Sequence, residues 1–61
     1  GVVSTGGGSL NIRNTPSENA AVIGKVPNGA FVTITGEDGN WYAIQYSGIT
    51  GFVQRRFVNV E

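Results

Sequence analysis

The sequence contains no cysteine and no histidine among its 61 residues. Without cysteine there is no disulfide to staple a small fold and no thiolate to hold a metal. Without histidine the commonest general base and the commonest metal ligand are both missing. Serine and threonine are plentiful, but no familiar nucleophile–base pair can be assembled from them, and Lys25 is the single lysine. No catalysis, cofactor or metal is therefore expected of this chain alone. Charge is scarce and balanced, with four basic and four acidic residues. That argues against a nucleic-acid partner, because neutralising phosphates requires clustered Lys and Arg. No apolar run approaches the ~20 residues that span a bilayer, so no membrane span is expected. No signal-peptide pattern is visible. The first residue is Gly1 rather than Met, which fits a piece of a longer polypeptide.

What is present is a series of short β-prone runs separated by glycine. Residues 1–8 end in Ser4-Thr5-Gly6-Gly7-Gly8 and read as a flexible linker. These glycines do not make a phosphate-cradling loop, which needs a preceding strand, a following helix and a Lys-Ser/Thr pair. Leu10 and Ile12 alternate with Asn11 and Arg13, the pattern of a half-buried strand. A polar loop follows over residues 14–19. Ala21 to Val26 reads as a second strand, Val26-Pro27-Asn28-Gly29 as a type I turn, and Phe31 to Thr35 as a third strand. Gly36 to Asn40 reads as a loop. Trp41 to Tyr46 and Ile49 to Val53 form a hairpin about Ser47-Gly48. Gln54-Arg55-Arg56 suits one short helical turn, and Phe57 to Val60 closes the sheet. The fold class is all-β, a small barrel of five to six short antiparallel strands. Its expected core is Leu10, Ile12, Ile23, Val26, Val32, Ile34, Ile44, Val53 and Val58.

The hairpin can be read in register. A two-residue turn at Ser47-Gly48 sets Tyr46 opposite Ile49, Ile44 opposite Gly51, Tyr42 opposite Val53 and Trp41 opposite Gln54. Opposed residues share a face, and faces alternate along a strand. Tyr42, Ile44, Tyr46, Ile49 and Val53 then form the inner face. Trp41, Ala43, Phe52 and Gln54 form the outer one, so Trp41 points away from the core. The acidic pair Glu37-Asp38 reads as a solvated turn. A calcium loop needs further oxygen ligands at fixed spacing, and two-carboxylate hydrolysis needs groups that flank a cleft.

Leu10-Asn11-Ile12-Arg13, Pro16-Ser17, Val22-Ile23-Gly24, Asn28-Gly29, Gly39-Asn40-Trp41-Tyr42 and Gly48-Ile49-Thr50-Gly51-Phe52-Val53 together resemble bacterial Src-homology-3 (SH3b) domains. The resemblance covers residues 9–61. It implies an SH3-like barrel appended to cell-wall hydrolases, surface proteins or extracytoplasmic sensors. Some members bind peptidoglycan peptides and so place a neighbouring catalytic domain on the wall. Against the eukaryotic Src-homology-3 domains, Trp41 resembles the Trp of the Pro-rich peptide groove. Gln54 and Phe57 stand where that groove has Pro and Tyr. The aromatic-rich first motif is absent, so Pro-rich ligands are not expected.

The expected function is a non-catalytic targeting module of an extracellular or cell-wall-associated bacterial protein, binding peptidoglycan or an extended wall peptide. The competing class is a structural module packed on a neighbouring domain of the same chain. A monomer is expected for the isolated domain. Candidate ligand contacts are Arg13, Asn14, Trp41, Gln54, Arg55 and Phe57. Trp41 is either an aromatic platform or a cover for the barrel end. Arg13 either forks a ligand carboxylate or bonds locally to its own loop. Arg55, with Arg56, either meets anionic polymer or is a solvated pair, and Phe57 is either contact or core.

Overall fold

Short alternating runs of branched and aromatic residues favour extended backbone, and glycine-marked breaks keep each run short. In the computed structural model, which describes residues 1–60, they form seven strands. These are β1 (Val2–Val3), β2 (Leu10–Arg13), β3 (Val22–Val26), β4 (Thr33–Asp38), β5 (Trp41–Tyr46), β6 (Ile49–Gln54) and β7 (Val58–Asn59). A single 3₁₀ turn, Arg55–Phe57, joins β6 to β7. Five strands form one antiparallel sheet in the order β3-β2-β6-β5-β4, while β1 pairs with β7. A lone bridge from Val2 to Phe31 ties the small sheet to the segment entering β4. The two sheets enclose Val3, Leu10, Ile12, Val26, Val32, Tyr42, Ile44, Val53 and Val58.

The β5–β6 hairpin has the expected register throughout, from Tyr46 opposite Ile49 to Trp41 opposite Gln54. Ser47 (φ 49°) and Gly48 (φ 80°) both take the left-handed conformation that a two-residue type I′ turn requires. Tyr42, Ile44 and Val53 are buried on the inner face; Trp41, Ala43, Phe52 and Gln54 are half-buried on the outer one. Gly51 sits where β2 crosses β6. A Cβ there would fall 2.5 Å from Ile12 Cγ2 and 2.7 Å from the Arg13 carbonyl oxygen. Only glycine allows that approach without a shift of backbone.

Several expectations are corrected. Residues 1–8 are not simply a linker. Val2–Val3 pairs with β7, and Val3 is 1% exposed. Its N–H donates to Ala30 O (2.9 Å), and the N–H of Ser4 donates to Phe57 O (2.8 Å). The glycines that follow masked two β-branched residues able to fill the barrel end. Thr5–Gly8 is also anchored, the Thr5 N–H donating to Asn28 Oδ1 (2.9 Å) and the Thr5 hydroxyl to Gly8 O.

Ile23 is 43% exposed rather than core. It lies three residues from Val26, so an unbroken strand cannot turn both to one face, and β3 is a sheet edge. Ile34 shares the inner face with Ile44, but its strand is the other edge and it is half-buried. The Pro27 turn closes one residue later than expected. The N–H of Ala30 donates to Pro27 O (3.2 Å), which sets Gly29 (φ 88°) at the third position, where a type II turn needs glycine. The expected loop at residues 36–40 is largely strand: β4 continues to Asp38, and Gly39 (φ 59°) makes the reversal.

Candidate functional site

The outer face of the β5–β6 hairpin ends at the cross-strand pair Trp41 and Gln54. Period-2 alternation puts both side chains outside the barrel. The hairpin end is closed by the Arg55 N–H donating to Asn40 O (2.8 Å), which starts the 3₁₀ turn beside Trp41. Two grooves meet there. The larger, about 600 Å³, is lined by Glu18, Asn40, Trp41, Tyr42, Gln54, Arg55, Arg56 and Val58. The smaller, about 280 Å³, is lined by Thr5, Gly8, Ser9, Leu10, Asn11, Arg13, Trp41, Gln54 and Phe57. Trp41 and Gln54 belong to both and form their common wall.

Arg13, Trp41, Gln54 and Phe57 are thus brought together around the smaller groove, and Arg55 joins Trp41 and Gln54 in the larger. Asn14 lines neither. It is exposed, and its backbone N–H donates to Ala21 O (3.1 Å). The Arg13 guanidinium is already engaged, Nη1 donating to Ala20 O (2.8 Å). It pins the loop over residues 14–20 and walls the groove. Phe57 is half-buried under the Arg56 guanidinium, which lies 4.8 Å from the ring centroid.

Sequence reasoning missed Glu18 and Tyr42, and weighed Arg56 with Arg55 as meeting anionic polymer or as a solvated pair without naming it among the candidate contacts. Tyr42 carries an inner-face position, yet it lies at the barrel end, where its ring sits 5.4 Å beneath the Arg55 guanidinium. Glu18 stands in an irregular loop, where no pairing rule assigns it a neighbour. The structure sets its Oε1 3.4 Å from Gln54 Nε2. Arg55 also faces Glu37, with Nη1 to Oε1 at 3.8 Å; both side chains are more than half exposed, so the pair adds little stability.

The larger groove therefore combines indole and phenol surface with a carboxylate, two guanidiniums and the amide of Gln54. Such a lining offers contact area and directed hydrogen-bonding groups to a polar, extended ligand. Among the described residues no three acidic side chains converge on a point able to hold a metal ion.

A model of the bacterial SH3 domain matches residues 8–59. Among curated proteins, the chain is 33% identical over 55 residues to "Putative N-acetylmuramoyl-L-alanine amidase YrvJ" of Bacillus subtilis (strain 168). That alignment takes in 90% of this chain and 11% of the relative, so the chain spans about one-tenth of the relative's length.

Proposed function

The chain belongs to the bacterial SH3 domain family, and from that premise we propose that it is a targeting module that recognises peptidoglycan or an extended wall peptide. It is a module of cell-wall-associated proteins, and its own role is to hold a larger polypeptide on the wall. The chemistry belongs to neighbouring domains. The relative fits this division of labour. It is named for an amidase activity, and this chain corresponds to a small part of it.

The observation that carries the reading is the pair of grooves sharing Trp41 and Gln54. An aromatic wall between two polar troughs suits a chain-like ligand laid across it. The indole supplies contact area at low entropy cost, and Gln54 with the groove arginines supplies hydrogen bonds. A site this shallow gives weak binding per copy, since it buries less than a standard interface. Tandem copies in a parent chain would raise it by avidity. The location that follows is extracellular or wall-associated.

One observation favours the second reading, a module packed on a neighbouring domain. Phe31 is 77% exposed beside Val2 and lines neither groove. The test is co-sedimentation of the chain with purified wall sacculi. Binding that is lost in Trp41→Ala and kept in Phe31→Ala supports targeting. No sedimentation of the wild-type chain, with Phe31 protected from labelling in the longer polypeptide, supports packing instead.

A further inference from the structure

We propose that the larger groove selects a zwitterionic peptide segment, Glu18 taking a primary ammonium and Arg56 a carboxylate, with the Trp41 ring as the apolar contact. This deepens the wall-peptide reading and rests on it.

The charges at the groove support this choice. Arg55 is occupied on two sides, by Glu37 at 3.8 Å and by the Tyr42 ring at 5.4 Å. Setting that pair aside leaves one carboxylate, Glu18, and one guanidinium, Arg56, both lining the groove. Among the described residues neither stands in an ion pair. Among the described residues the one side-chain partner of Glu18 is the neutral Gln54 amide at 3.4 Å, long for a hydrogen bond, so its lone pairs stay open to a better donor. That contact also places the carboxylate beside Gln54, and Gln54 lies directly across the ladder from Trp41. Carboxylate and indole thus flank one residue, a combination that favours an ammonium by charge and by its attraction to an aromatic face. Arg56 lies over the Phe57 ring, its Cζ 4.8 Å from the centroid, and among the described residues no hydrogen bond takes its N–H donors, which leaves them for a carboxylate.

Other ligand classes fit less well. With Arg55 paired to Glu37, a polyanion would leave Glu18 opposed and a polycation would leave Arg56 opposed. A neutral glycan would desolvate both charges without pairing either. A peptide with one free amine and one free carboxylate satisfies the set. In a wall peptide the side-chain amine of a diamino acid is free until cross-linking acylates it. The groove would then favour peptide that is not cross-linked.

The experiment is a titration of the ¹⁵N-labelled chain with N-acetyl-Ala–γ-isoglutaminyl–Lys, in which the Glu α-carboxyl is amidated and the lysine carries the one free amine and the one free carboxylate. Two analogues are compared, one acetylated at the lysine side-chain amine and one amidated at the C-terminus. Blocking either group should weaken binding about fivefold, the upper range for an exposed ion pair. Glu18→Gln should erase discrimination against the acetylated peptide only, and Arg56→Gln discrimination against the amide only. Both variants should keep the dispersed spectrum of a folded chain. Equal affinity for the free and acetylated peptides, with shifts still centred on Trp41, would overturn the inference and leave the wall-peptide reading standing. So would discrimination that survives Glu18→Gln. If neither these peptides nor soluble wall fragments perturb Trp41, both fail together.

Discussion

The two faces of the β5–β6 hairpin are built from alternate residues of the same two strands, yet they serve opposite ends. On the inner face Ile44 and Val53 are wholly buried and Tyr42 nearly so. On the outer face Trp41, Ala43, Phe52 and Gln54 stay half-buried, and the Trp41–Gln54 pair becomes the wall of two grooves. One register decides both, because a slip of one residue would exchange them. On the proposed reading, the small barrel separates stability from recognition within a single hairpin. The inner face is close-packed, so loss of volume there is costly, and on that reading the outer face is open to variation in what it binds.

The largest effect expected on that division is from Ile44→Ala. It should cost about 2–5 kcal/mol in chemical denaturation, enough to unfold much of a domain of this size. Gly51→Ala comes next. Its methyl would press on Ile12 and on the Arg13 carbonyl oxygen, with an expected loss of about 1–3 kcal/mol and displaced amide signals along β2. Val3→Ala tests whether the N-terminal segment belongs to the barrel. A cost of about 2 kcal/mol is expected for its buried side chain, against none if residues 1–8 were a linker. Trp41→Ala should be the mildest, about 1 kcal/mol in thermal unfolding, while removing binding. A loss for Trp41→Ala as large as that for Ile44→Ala would break the division between the faces.

The hairpin was legible in the sequence because a two-residue turn fixes every pairing that follows, and Ser47-Gly48 supplies one. The glycine-spaced motifs carried the family likewise. Val3 was not legible, since two valines beside a glycine-rich stretch give no period to read, and their partner Val58 lies at the far end of the chain. Ile23 failed for a different reason. Alternation from Val26 already turns it off the inner face, and the bulge opposite Ile12/Arg13 leaves it, among the described residues, without a partner at the sheet edge. Of the site, Trp41, Gln54 and Phe57 could be placed by register and resemblance. Glu18 could not, because its position depends on how an irregular loop folds back over the sheet. For Arg13 the sequence offered a local bond to the following loop beside a ligand contact, and the local bond is the one that forms. Its strand position and its reach to the loop were plain; only the acceptor, Ala20 O, depends on the path of that loop.

The most direct measurement is an amide and indole shift titration of the chain with soluble peptidoglycan fragments, run in parallel on Trp41→Ala. Shifts should cluster at Trp41, Gln54, Arg55, Arg56 and Phe57 in the wild-type chain. They should vanish in Trp41→Ala while its spectrum keeps the dispersion of the folded barrel. A Trp41→Ala chain that unfolds, together with no fragment-induced shift at these residues in the wild type, would contradict the account and make Trp41 a structural residue.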